Sequence, residues 1–420
     1  MSQNVEQSNA TVAVVGAGVV GLCCALEAQR KGYQVTLFDR DAAGCGASFG
    51  NAGYLATELL EPLSNPKVLR SALSLWLSPK APLFLPLGYF HRIVPWLLRF
   101  VGAAGAATLR RSRKGLMQLN REAIAAWQRC LEDIGATEQI VKSGYLLVWE
   151  SADKVDEARQ HQAWLREHSI ETELVQGERL AQLEPELAKR VNHALLFPDA
   201  CRVSEPYQLC TRLFSAFIER GGVFIQQSVT QVRPSGQQVT VFTEAQDHRY
   251  DAAMICAGVW SKTLLRDMGI NVPLEAERGY HLTIPEAGFM LRHTIGSAER
   301  RFVMGPLDSG LRVVGMTELG GLKLPPFKQR FDVLRYHSRQ LLPGLNTPEL
   351  EVSEWMGHRP TLPDSLPVID RHPQHPQILF AFGHQHLGLT QAAVTAELTL
   401  KLLQNEASMI DMELFKVNRF

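Results

Sequence analysis

The sequence contains no Cys-x-x-Cys pair, and its seven cysteines (23, 24, 45, 130, 201, 210 and 256) are odd in number and irregular in spacing. This excludes a zinc ribbon and a disulfide framework as organising elements, and no metal site is expected. Reduced thiols imply a reducing compartment, hence a cytoplasmic protein. The formal net charge is +0, so no global field recommends nucleic acid as a partner. The first ten residues, MSQNVEQSNA, lack the basic-then-apolar start of a secretory signal. No apolar run reaches the roughly 20 residues a membrane-spanning helix needs.

One absence is local. Between Pro62 and Arg121 there is no aspartate or glutamate, while ten lysines and arginines fall there. The rest of the chain then carries 33 basic against 43 acidic residues. The basic stretch is also apolar, as in LSLWLSPKAPLFLPLGYF and IVPWLLRFVGAAGAATL. Two readings fit. One is an interfacial segment that inserts Trp and Leu and offers Lys and Arg to anionic lipid, on the inner face of a cell membrane. The other is a helical insertion packed on the protein with its charges solvated.

What is present first is a nucleotide fingerprint. TVAVVGAGVVGLCCALEAQRKGYQVTLFDR begins with an apolar strand from Thr11 to Val15. Gly16, Gly18 and Gly21 follow as G-x-G-x-x-G: a tight turn, close backbone approach to a pyrophosphate, and close helix packing. A helix over 19–31 aims its N-terminus at the phosphates. A second strand over 33–38 ends at Asp39, where a carboxylate reaches ribose hydroxyls. GCGASFGNAGYL, 44–55, is a second turn of small residues, suited to a flat ring and a further phosphate contact.

These stretches, with GYLLVWES (144–151), DAAMICAGVWS (251–261), RGYHLTI (278–284), LRVVGMTELGG (311–321) and 355–403, resemble the FAD-dependent D-amino acid dehydrogenases of the wider D-amino acid oxidase and glycine oxidase group. The resemblance spans nearly the whole chain. It implies an α/β Rossmann-type FAD domain interleaved with an antiparallel-sheet substrate domain. It also implies oxidation of a D-amino acid, or a cyclic one such as a D-hydroxyproline, with electrons leaving to a quinone or another acceptor. A glycine- or sarcosine-type oxidase releasing hydrogen peroxide is the alternative, and a flavin-fold subunit of a larger dehydrogenase a third. FAD would be non-covalent, because the cysteine used by sarcosine oxidases lies in the C-terminal third and this chain has none beyond Cys256.

The nucleotide domain is expected to take 11–110, 198–272 and 355–410, and the substrate domain 111–197 and 273–354. Cofactor contacts are expected at Gly16, Ala17, Gly18, Gly21, Asp39 and Arg40, and in the second turn at Ala47, Ser48, Asn51, Ala52 and Gly53. Later ones are Val229, Gly258, Gly383, His384, Gly388, Leu389 and Thr390. The strand 378–382, the turn 383–388 and the helix from 389 would again aim N–H groups at an electron-rich ring.

Hydride removal from an amino acid needs the α-carboxylate held and the α-hydrogen aimed; it needs no dedicated base once the amine is neutral. The search is therefore for a fixed cation. Arg359 stands in WMGHRPTLPDSLPVID, where Pro360, Pro363 and Pro367 exclude helix and central strand. Arginine grips a carboxylate bidentately, and Arg359 matches the arginine of the family's RP motif. Its alternative role is an ion pair with Asp364 or Asp370. Tyr54, Tyr280 (with His281) and His386 are the further candidates for substrate contact. Gln385 occupies a loop position where the dehydrogenases usually carry glycine.

Overall fold

The computed structural model describes residues 10–70, 80–347 and 349–420. Two sheets organise them. The first has six strands in the order Val223–Gln226, Gln34–Asp39, Thr11–Val15, Ala252–Ile255, Ile378–Phe382, Val368–Arg371. All neighbours pair parallel except the last two, which are antiparallel. Its strands are apolar on both faces because both are covered. Val12, Val14 and Leu37 pack under the helices Val19–Arg30 and Gly388–Leu403. Ala13, Val15 and Phe38 pack against a three-stranded sheet over 229–250. This is the α/β dinucleotide fold expected from the fingerprint.

The second sheet has nine strands. Its path runs Ser353–Thr361, Glu275–Ile284, Gly310–Leu319, Phe302–Leu307, Thr294–Ser297, Tyr145–Trp149, His193–Phe197, Glu173–Gln176, with Leu83–Phe84 beside Gly310–Leu319. It is mainly antiparallel. One face is sealed by the helix Lys328–Leu341, through Phe331 and Leu334 against Tyr280, Leu282 and Val313. The other face looks at the turn of small residues: Trp355 fills the space over Gly50, and Arg312 donates to the carbonyls of Phe49 and Asn51.

Two expected boundaries move. The strand Ser353–Thr361 pairs along its whole length with Glu275–Ile284, so the substrate sheet continues past 355. The long helix Ala106–Asp133, begun in the nucleotide domain and assigned mostly to the substrate domain, packs against Gly388–Leu403 instead. Trp127 Nε1 donates to the Leu389 carbonyl at 2.9 Å, and Gln391 Nε2 to Asn120 Oδ1 at 2.9 Å. Helix-on-helix burial there outweighs proximity in sequence. The proline-rich segment behaves as proline chemistry requires: both of its strands, Ser353–Thr361 and Val368–Arg371, are sheet edges.

Of the basic stretch, 71–79 lies outside the described residues. The helix Phe90–Ala103 turns Ile93 and Trp96 inward onto Leu319 and leaves Leu98 (69% exposed) and Val101 (55%) outward. Among the described residues, no helix is long and apolar enough to cross a membrane.

Candidate active site: a nucleotide cleft and an arginine clamp

A cleft of about 460 Å³ runs from Asp39 along the carboxyl ends of the parallel strands to Leu389. This is where open α/β sheets bind ligands. Of the expected contacts, Gly16, Gly18, Asp39, Arg40, Ala47, Ser48, Asn51, Val229, Gly258, Gly383, His384, Gly388 and Leu389 line it. Ala17, Gly21, Ala52, Gly53 and Thr390 do not; they build the cleft from behind. Ala17 N donates to Asp39 Oδ2 at 2.7 Å, which aims the carboxylate. A Cβ on Gly21 would sit 1.8 Å from the Gly16 carbonyl oxygen, so helix and turn touch only through glycine. Thr390 Oγ1 accepts from Ala56 N at 3.0 Å and ties the helix Gly388–Leu403 to the chain just after the second turn.

The cleft fits a dinucleotide. The helix Val19–Arg30 has no acidic side chain in its first turn and no side-chain cap at Gly18, so its positive end is left for an anion. Ser48 Oγ accepts from Val19 N at 3.0 Å, placing the second turn over the first. A Cβ at Gly46 or Gly258 would meet nothing within 4 Å, so the backbone is bare toward the open space. At the far end the Arg40 guanidinium lies 4.0 Å over the Trp260 ring, and His358 packs edge-on to the same ring. Trp260 and His358 were not expected as lining residues. Trp260 stands two residues after the strand-closing Gly258, which was the available signal.

Arg359 projects from the opposite side of its strand to His358 and Pro360. Nη1 donates to Glu277 Oε1 at 2.9 Å and to the Met316 carbonyl at 3.3 Å. Neither Asp364 nor Asp370 is its partner: Asp364 is held by Arg419 at 2.7 Å, and Asp370 accepts from Val417 N at 2.8 Å. Nε and Nη2 of Arg359 have no hydrogen-bond partner among the described residues. That edge lies over Gly279, where a Cβ would be 2.4 Å from Cζ and Nη2. The guanidinium thus lies against bare backbone with that edge unpaired; its neighbours His358 and Pro360 line the cleft, whereas Arg359 and His386 do not.

His386 joins this group from the turn before Gly388–Leu403. Burial pushes its pKa down to about 4, against the pull of Glu277 and with the push of Arg359. Burial alone would raise the Glu277 carboxyl, but Arg359 and His386 hold it below the usual carboxylate range. Burial likewise takes His384 to about 3; its Nε2 is 2.9 Å from Thr395 Oγ1. Both imidazoles are neutral near pH 7. Gln385 sits in the left-handed region with φ 53°, the conformation that glycine adopts freely.

Two candidates are not brought to this group. Tyr280 points to the other face of the sheet, fully buried against Phe331, with its hydroxyl on Glu318. Side chains alternate along a strand, so Tyr280 and His281 cannot share a face. It is His281 that faces the second turn, Nδ1 3.3 Å from the Gly50 carbonyl. Tyr54 stacks on Tyr145 at 4.4 Å and does not line the cleft. Its buried hydroxyl faces the Glu58 carboxyl, which burial pushes up to about 7 against the hydrogen bonding of Tyr54.

The fold and the cleft define an FAD-binding oxidoreductase. Residues 11–402 match the family described as FAD dependent oxidoreductase, and the chain belongs to that family. Among curated relatives, a "D-amino-acid oxidase" of Bradyrhizobium diazoefficiens is 31% identical, over 97% of this chain and 98% of its own. A "D-amino acid dehydrogenase" of Neisseria meningitidis is 27% identical over 97% and 99%. Among solved structures, glycine oxidase from Geobacillus kaustophilus has a TM-score of 0.77 at 19% identity, over 98% and 100% of the two chains. L-proline dehydrogenase from P. horikoshii has a TM-score of 0.75 at 15% identity, over 98% of each chain. These two share the fold. FAD is the cofactor.

Proposed function

We propose that the protein oxidises the Cα–N bond of a D-amino acid, including cyclic ones such as a D-hydroxyproline, to the imino acid. Bound FAD supplies the two-electron acceptor. Arg359 carries this reading: a rigid guanidinium with its bidentate edge open, grouped with His386 of the flavin-side turn. Arg359 binds the α-carboxylate through Nε and Nη2, which fixes Cα relative to the cleft. The neutral His386 ring adds no charge repelling a substrate amine. The D configuration is supported by the curated relatives, oxidases and dehydrogenases of D-amino acids by name. Anaerobic mixing with a panel of D- and L-amino acids, prolines and N-methyl amines tests it. D-amino acids are expected to bleach the flavin absorbance; bleaching by L-amino acids or N-methyl amines alone would overturn the reading.

Electrons then pass to a quinone or another acceptor. Support comes from the outward apolar side chains Leu87 (81% exposed), Phe90, Leu98 and Val101, interleaved with exposed Arg92 and Arg99. Such a surface suits peripheral contact with the inner face of a cell membrane, where quinones reside. Turnover with a quinone analogue is expected to exceed turnover with O₂ alone; the reverse, with stoichiometric peroxide, would identify an oxidase of the glycine or sarcosine type.

A further inference from the structure

We infer that Glu277 is a positioning and specificity residue that matches the clamp to a zwitterion with an uncharged side chain; this rests on the reading of Arg359 as the carboxylate clamp. Glu277 is only 4% exposed and is held from the two strands that flank its own. Oε1 accepts from Thr317 Oγ1 at 3.0 Å and from Arg359 Nη1 at 2.9 Å, and Oε2 accepts from Thr361 Oγ1 at 3.0 Å. With the Met316 carbonyl as its second acceptor, Nη1 is occupied, and the guanidinium cannot swing to present that end. The ligand is left the Nε–Nη2 edge over Gly279 and no other.

The same contact sets the charge. Each cation on this face of the sheet has a carboxylate: Arg359 has Glu277, and Arg312 has Glu205 at 3.4 Å. Glu275 lies on the same face and accepts from the Tyr89 hydroxyl at 3.0 Å. The neighbouring rings, His281 and His386, are neutral. Among the described residues, no positive charge on this face of the sheet is in excess. A zwitterion brings a carboxylate for the open edge and an ammonium that faces a carboxylate-rich wall. A second carboxylate on the side chain meets no free cation, in a partly buried site where charges are weakly screened.

Two measurements test this. The oxidised holoenzyme is titrated with acetate and benzoate, carboxylates lacking an amine, and the flavin absorbance is followed. Glu277→Gln keeps an oxygen for Arg359 while removing the charge, and is expected to bind them at least about tenfold tighter than the native enzyme. Equal or weaker binding overturns the inference. Independently of any variant, the native enzyme is expected to be reduced by D-glutamine at least about a hundredfold more efficiently (kcat/KM) than by D-glutamate. Equal efficiency overturns it too. Loss of the underlying reading looks different: no D-amino acid reduces the flavin, or Arg359→Leu binds benzoate as the native enzyme does, and the inference then falls with it.

Discussion

Arg278 and Arg359 face each other's neighbours across one strand pair, on opposite faces of the same sheet, and each meets a glutamate. Arg278 and Glu318 are sealed, their side chains 0% and 1% exposed. Nη1 donates to Glu318 at 2.7 Å, Nη2 to the Pro325 carbonyl, and Tyr280 closes the other carboxylate oxygen. Arg359 and Glu277 are 20% and 5% exposed, and one whole edge of the guanidinium has no hydrogen-bond partner among the described residues. A buried pair with its ends engaged holds a fold together. A pair engaged on one side only keeps donors that a ligand could use, which is the role proposed for Arg359. Arginine beside glutamate is the same chemistry in both cases, and the difference lies in which donors remain.

Four experiments break or sharpen that contrast. The largest effect is expected from Arg278→Leu, which leaves Glu318 buried without its cation. Such losses cost about 3–5 kcal/mol, so thermal unfolding should shift down strongly with poor flavin retention. A variant as stable as the native protein would erase the distinction. Arg359→Leu also strips a buried glutamate of its cation, so it should lower the melting temperature, though less than Arg278→Leu because Glu277 keeps the Thr317 and Thr361 hydroxyls; it should retain flavin yet lose about a hundredfold or more in kcat/KM, about 2.7 kcal/mol. Unchanged KM and kcat would remove it from the site.

Gly279→Ala is the subtler probe. Its methyl group would displace the guanidinium, since a Cβ there is 2.4 Å from Cζ. About a tenfold rise in KM is expected with little change in stability; the opposite pattern would mean that Gly279 serves the strand and not the clamp. The smallest effect is in pH. His281 and His384 both have folded pKa values of about 3, depressed by burial from about 6.5. Their contribution to stability is full above pH 6.5 and is lost as pH falls toward 3, because the unfolded chain binds the protons. Each ring should cost about 0.8 kcal/mol between pH 7.5 and 6. A melting temperature that rises on acidification over that interval would contradict both assignments.

The contrast also separates what the sequence shows from what it hides. Local chemistry is legible: glycines at 16, 18 and 21, an acid at 39, and prolines that make both halves of one segment edge strands. So is a lone arginine before a proline. Partners distant in the chain are not. Glu277 lies 82 residues from Arg359, and Arg419 lies 55 from Asp364; only strand register and a C-terminal turn bring them together. Tyr280 is a different case. It belongs to an alternating run with His281, so the pleat already implied that one of the two had to point away. The boundary at 355 moved because nine residues of the segment pair with a strand some eighty residues earlier, a partner that local sequence does not reveal.

The segment between Thr361 and Val368 has a mechanical consequence. It leaves the edge of one sheet and enters the edge of the other within a few residues. Thr361 pairs with His384 across this crossing, and Asp364 is pinned beneath it by the Arg419 side chain, only 2% exposed. The two sheets are stitched together at the point where the clamp stands. Arg359 and the turn carrying His384 and His386 are thus joined at this crossing by a backbone bridge and a short chain segment. Under the proposed role of Arg359, the chain path itself would set how far a bound carboxylate stands from that turn.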